Sequence, residues 1–563
     1  MSDRNTEMHF SNIPAISTLR SKFHRNATHT FTMNAADLIP FYADEILPGD
    51  TVEMKGSEVI RMTTPIVPVF GNAFMDIYWY FVPRRLTWDH WEEFMGENKS
   101  TYWTNPTIYT IPQIKTGSET YWRKGDIAQY MGMARIKTVN HPGVDANYFR
   151  AYAKIWNEWF RDENLEEPAN VSNDISTDVT ITNMATQLDD PIVGAEYGGV
   201  PLKVCKVADY FTSALPDAQK GPDVYLPLGS AAPVYPKAEN VTPTDDLTGL
   251  RMSELDANRK WADPGTGQLA NFASISTGAT GRNVVLVPNS TSGAATHNAI
   301  PQNLWADLSN AQAATINAMR TAFAIQRMLE KDARGGTRYR ELIRSHFGVI
   351  TDDARMQVPE YLGGKRIPIT MQDVIQQSST DATSPQGHVA GMSKTIDSDY
   401  MFKKSFTEHG MLIGLCCIRT EHTYAQGVNR RFTRRNREDF YFTALANLGE
   451  TYIKNKELFV TGTDTDEEAF GYQERWAEYR YEPNRVSGEF SPDYDTPLDM
   501  YTYADEYTQT PTLGKTWIEE TKANIDRSLA IQNQDQFMCD FYIEGLWTRP
   551  MPMYSVPGLL DHH

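Results

Sequence analysis

The chain has 563 residues, 40% apolar and 22% charged, with a formal net charge of −19. That length holds two to four ordinary domains, or one β domain enlarged by insertions. Such acidity excludes a protein that only binds nucleic acid: DNA contact would need local basic patches, with a separate cationic partner supplying the remaining charge.

No apolar run approaches the roughly 20 residues of a membrane span, and the N-terminus lacks a charged-then-apolar signal pattern. A soluble protein made in a cytoplasm is expected. Four cysteines form no CxxC pair. Cys416 and Cys417 are adjacent, which suits no ordinary disulfide, so buried thiols are expected.

Residues 1–30 carry little periodicity and are expected to form an arm, with Arg20, Lys22 and Arg25 as its cations. Two readings compete: an inward-facing arm touching nucleic acid or an internal partner protein, or an extended tail clipped onto a neighbour. Strand signals follow at 51–63 and at 73–82. In the second, Ala73, Met75, Ile77, Trp79 and Phe81 share one face, and Phe74, Asp76, Tyr78, Tyr80 and Val82 share the other. One face is wholly apolar and the other aromatic with a single carboxylate, which describes a strand covered on both sides.

A short helix is expected at 87–95, where Trp88, Trp91 and Phe94 make an apolar side. His90, Glu92 and Glu93 lack metal-site spacing, and packing is the stronger reading. A second helix is expected over 146–163, capped by Asp145, with Tyr148, Tyr152, Ile155 and Trp159 as its stripe. Residues 164–227 are loop-rich with short strands expected at 179–183 and 202–207. From 228 to 300 small and polar residues dominate, and Tyr235, Trp261 and Phe272 are the sparse aromatics. Such a stretch buries little and is expected as a surface insertion.

A capping box at Ser309–Gln312 opens a long helix stopped by Gly335–Gly336, with a stripe from Leu304 to Leu329 expected to pack on the sandwich. A second amphipathic segment spans 338–347. Strand character returns at 411–419 and 535–544, where Phe537, Cys539, Phe541 and Ile543 share a face. Strands near both ends, with helices and loops between, describe a mainly β fold: an eight-stranded antiparallel jelly-roll β-sandwich with long insertions, its core in 31–227 and 301–563.

No phosphate-loop, dinucleotide or nucleophile-elbow motif occurs. Neither catalytic residue nor cofactor is expected. Acidic pairs such as Asp189-Asp190 and the 464–468 run leave open a divalent cation between subunits. The strongest charged feature is Arg430, Arg431, Arg434, Arg435 and Arg437 around Phe432. Such a run holds phosphates and stacks a base, or it pairs with carboxylates across a subunit contact.

The stretches TMNAADLIPFYADEILPGDTVEMK and TPIVPVFGNAFMDIYWYFVPRRLTWDHWEEFMGENKS are followed in order by ALPDAQKGPDVYLPLG, EKDARGGTRYRELIRSHFGV, PEYLGG and FGYQERWAEYRYEPNRVSGEF. This series resembles the major capsid proteins of gokushovirus-type microviruses, small icosahedral bacteriophages with single-stranded DNA. The resemblance implies pentamers, a sixty-copy shell and assembly in the bacterial cytoplasm. It further implies an internal scaffolding protein, a small basic DNA-binding protein, a DNA pilot protein and a circular single-stranded genome as partners. The 228–300 insertion would project at the threefold axes and meet a host receptor. Rival readings are a carbohydrate-binding or carbohydrate-active jelly roll, with two carboxylates about 5 to 10 Å apart in a cleft, and a free single-strand-binding protein.

Overall fold

The computed structural model describes residues 19–99, 108–117, 119–135, 143–225, 315–378, 380 and 386–554, together with the backbone of four short strands between 234 and 306. The chain divides into two compact units, one of Met1–Lys220 with Leu329–His563 and one of Gly221–Met328.

Eight strands build the larger unit's core: β1 (Ser21–Met33), β2 (Ile39–Ile46), β3 (Thr51–Met62), β4 (Ala73–Pro83), β5 (Glu360–Pro368), β6 (Thr395–Ser405), β7 (Gly410–Thr420) and β8 (Phe537–Arg549). They form two four-stranded sheets in the orders β1-β8-β3-β6 and β5-β4-β7-β2. Every pairing within them is antiparallel. Each sheet interleaves early and late strands, which is the jelly-roll arrangement.

The expected arm is shorter than 1–30, because Ser21–Thr30 already belongs to β1 and pairs with β8. Its periodicity is weak in the letters because β1 is an edge strand, and only its last turn of chain, at Phe31 and Met33, is buried. Residues 1–18 lie outside those described.

Between the sheets, Phe31, Phe41, Met54, Ile77, Trp79, Phe81, Phe402, Phe537, Phe541 and Trp547 join one apolar cluster. Phe541 meets Phe31 edge-on at 5.1 Å and Phe41 at 5.0 Å, a geometry aromatic rings favour. Strand β8 alternates buried and exposed residues along most of its length, so its sheet keeps one open face. Strand β7 is buried almost throughout. Its sheet is covered on the second face by α1 (Asn147–Trp159), and Tyr80, Val82, Ile413 and Cys417 pack there with Phe149, Tyr152 and Trp156. The two-sided reading of 73–82 therefore holds. The N-cap of α1 is Ala146 and not the expected Asp145, which lies one residue earlier and accepts from the Asn147 amide at 2.9 Å.

The helices after the insertion differ from expectation. Leu304–Ala306 is a strand paired with Val234–Pro236, and α2 runs Ile316–Gly335 with no buried residue. Of the expected stripe, Ala318 and Ala322 are half-covered while Thr315 and Ile325 are exposed; Leu308, Ala311 and the expected capping box at Ser309–Gln312 lie outside the described residues. The following α3 (Tyr339–Phe347), stopped by left-handed Gly348, does dock. Arg338 Nη2 donates to the carbonyls of Asn157 (2.7 Å) and Arg161 (3.0 Å) at the end of α1.

Two buried ionic groups fasten the doubly covered sheet. Asp76 accepts from Arg366 Nε at 2.6 Å and from Arg419 Nε at 3.0 Å. Beyond β7, His422 lies between Asp505 (2.8 Å) and Glu520 (3.2 Å). Burial by itself would depress the His422 ring, but the Glu520 and Asp505 charges overcome it and hold the imidazolium up to about 9.

Two outcomes follow. Phe541→Ala should cost about 3–5 kcal/mol in chemical denaturation, whereas Met538→Ala on the open face should stay within about 0.5 kcal/mol. Because the folded value of His422 lies above the ordinary 6.5, its stabilisation is complete below that pH and is lost as pH rises through about 9. Denaturation midpoints should fall from about pH 7 to about pH 10, and His422→Gln should flatten that fall.

Candidate functional site

Strand β7 ends at Thr420, and the chain after it builds a surface against a small sheet of Thr451–Lys454 and Ala469–Gln473. A third apolar cluster, including Phe211, Tyr424, Ile453, Phe470 and Trp517, supports that surface. The Tyr424 hydroxyl donates to Asp209 at 2.6 Å, and the Val428 amide donates to the Lys456 carbonyl at 2.8 Å. Asn429 then caps a single 3-10 turn, Arg430–Phe432, by accepting from the Arg431 amide at 3.0 Å.

The five arginines do not act alike. Arg430 pairs with Glu457 at 3.0 Å, Arg434 with Glu478 at 3.2 Å, and Arg431 with Glu482. Arg434 also lies 4.4 Å over the Tyr479 ring and 5.4 Å from Phe440, which holds its guanidinium flat. Asp439 pairs with no arginine side chain among the described residues. It accepts from the backbone amides of Asn436 (2.7 Å) and Arg435 (2.8 Å), and these bonds lower its carboxyl below the usual range. Arg435 and Arg437 have no carboxylate partner among the described residues, and Arg437 rests 5.2 Å over Phe442. The own-chain pairing explains why five cations in eight residues survive in an acidic protein.

Around this segment Phe432, Phe440, Tyr441, Tyr479 and Tyr481 are exposed, Phe432 at 71%. Only Phe432 carried a signal in the letters. The others come from Phe440–Phe442 and the 476–481 loop, which the folded chain brings to the same face. Of the arm cations, Arg20 and Lys22 are exposed, while Arg25 pairs with Asp44 at 2.6 Å and covers the Trp547 ring at 4.8 Å. No hydrogen bond or ion pair joins them to the 430–437 group among the described residues. Tyr235 pairs in register with Trp305 in the second unit. Trp261 and Phe272 lie outside the described residues.

The acidic loops are occupied by their own chain. Asp189 pairs with Arg123, and Glu467 takes both Lys454 (2.7 Å) and Lys456. No group of three His, Cys, Asp or Glu able to hold a metal occurs among the described residues. His90 instead meets Glu93 at 2.7 Å and stacks on Tyr109 at 4.2 Å. Cys416 and Cys417 are buried and unbonded on opposite faces of β7, one in each apolar cluster.

Residues 11–559 match the phage capsid protein (F protein) family. The chain belongs to that family. Among its relatives, capsid protein VP1 of Spiroplasma virus 4 is 38% identical, with 99% of each chain covered. Capsid protein VP1 of Bdellovibrio phage phiMH2K is 38% identical at the same coverage. Capsid protein VP1 of Chlamydia phage 1 is 35% identical over 98% of this chain and 97% of its own. This capsid protein is thus a structural subunit of the gokushovirus type, a component of the virion and not an enzyme. No helix among the described residues is long and apolar enough to cross a membrane.

The different pairing of the arginines has a measurable consequence. Arg434→Ala leaves Glu478 buried without its cation and should cost about 3 kcal/mol or more. Arg435→Ala should change stability by no more than about 0.5 kcal/mol. Urea midpoints of the two variants distinguish these outcomes.

Proposed function

We propose that this capsid subunit assembles through pentamers into a sixty-copy icosahedral shell and turns the Arg435–Arg437 surface toward a circular single-stranded DNA genome. The observation that carries the genome contact is the pair of uncommitted arginines set among exposed rings. Free guanidinium groups neutralise phosphates, and exposed aromatic faces stack bases without regard to sequence. Own-chain ion pairs hold Arg430, Arg431 and Arg434 in place beneath them.

The net charge of −19 supports the rest of the partner set. An acidic shell cannot neutralise a packaged genome by itself, so a small basic DNA-binding protein supplies cations. An internal scaffolding protein and a DNA pilot protein complete the assembly. Residues 228–300, which fall within the compact unit Gly221–Met328, are the insertion that projects at the threefold axes and through which the shell meets a host receptor, without membrane insertion by the chain. A divalent cation between subunits remains compatible with the acidic loops, although each loop described already has cationic partners.

Particles carrying Arg435→Ala with Arg437→Ala should form at normal yield and hold less DNA, read as a lower ratio of absorbance at 260 to 280 nm. Normal DNA content with impaired shell formation would instead place these arginines in a subunit contact and overturn the genome reading.

A further inference from the structure

The inner face of β3 is apolar at every position but one. Val52, Met54, Gly56, Ile60 and Met62 are buried along it, and Glu58 stands among them at 2% exposure. In the antiparallel register β6 sets Asp397 directly opposite Glu58. From the other sheet β5 sends in Lys365, two residues before the buried Ile367. Lys365 Nζ donates to Glu58 Oε2 at 2.7 Å and to Asp397 Oδ2 at 2.5 Å. A Cβ at Gly56 would stand 2.6 Å from the Met401 methyl and closer still to the Glu58 carboxyl, so the group is tightly enclosed on that side.

A single ammonium cannot balance two carboxylates, and like charges directly opposite each other on a sheet repel. Burial raises the Glu58 carboxyl above its ordinary range against the pull of Lys365, and Asp397 and Asp399 add to the rise. Glu58 is therefore the member that holds a proton, while the Asp397 side chain, 39% exposed, is the one that water reaches. An amine is thus held against a protonated carboxyl, with a second carboxylate placed to take its proton. Amide condensation is unfavourable in dilute solution, but effective molarities of roughly 10⁵–10⁸ M for well-placed groups offset that cost.

We propose that Lys365 and Glu58 join in an intramolecular isopeptide bond. Asp397 takes one proton from the Lys365 ammonium, and the freed lone pair on Nζ attacks Glu58 Cδ. The Nζ–Cδ bond forms and the Cδ–OH bond breaks. The hydroxyl leaves as water with a second proton from the nitrogen, and Asp397 passes the first to solvent. The bond links residues 307 apart in sequence and ties an edge strand of one sheet to an inner strand of the other. Such a cross-link removes chain entropy from the unfolded subunit, as closing any long loop does.

Mass spectrometry reads the loss directly. The purified full-length subunit, denatured and measured intact, should be lighter than its sequence requires by one water molecule. Trypsin should release residues 56–61 joined to residues 356–366, because a Lys365 bound in an amide is no longer cleaved. Asp397→Asn should slow the appearance of the joined peptide about a hundredfold, the worth of a general base, and Lys365→Arg should abolish it. Because both changes also break an ion pair, the unaltered subunit carries the decision. Full mass, with residues 56–61 released free, overturns the bond and leaves a buried ion pair in its place. A joined peptide that carries residues 395–403 instead of 56–61 overturns Glu58 as the group attacked.

Discussion

The pairing of β4 with β7 is the contact on which the remaining architecture depends. Eleven residues of each strand, Ala73–Pro83 and Gly410–Thr420, lie side by side in the middle of one sheet. Both faces of that sheet are covered, by the opposite sheet on one side and by α1 with its loops on the other. The middle of each face is buried, so successive residues serve different apolar clusters and a register slip of one position would exchange them all. At Gly414 the fit is close enough that a Cβ would stand 2.7 Å from the Phe41 ring. Charge on such a sheet must be neutralised where it stands, as Asp76 is by Arg366 and Arg419.

That rigid layer explains where variable function resides. The sheet containing β8 keeps an open face, and the long connections leave from the ends of the covered sheet. The 421–442 segment begins where β7 stops, tied by the buried His422 group and by Tyr424. Capsid subunits have to present several different patches to identical copies of themselves. A core that tolerates no slip, with long loops attached to it, lets those patches diverge without disturbing the frame.

The proposed genome contact sets an acidic subunit against phosphate, which its overall field repels at long range. The conflict eases at short range. Own-chain carboxylates neutralise Arg430, Arg431 and Arg434 and orient them, and the cations left over stand among exposed rings, whose proposed base contacts need no net charge. Screening over about 8–10 Å at ordinary ionic strength makes such a local arrangement effective within an acidic whole.

The letters by themselves determined the strands with two-sided or alternating burial: 51–63, 73–82, 411–419 and 535–544 were legible because apolar residues fill every second position or both faces. The capsid family was legible too, through motifs spread in order along the chain. Strands 39–46, 360–368 and 395–405, and most of 21–33, were not. They are edge or bulged strands with polar outer faces, and their hydrogen bonds go to partners hundreds of residues away, which no local pattern records. The arginine run was visible at once, yet which of its members were free was not. That depended on Glu457, Glu478 and Glu482 arriving from distant loops. Tertiary structure alone decided it, because an ion pair is a matter of distance in space, and the sequence carries only distance along the chain.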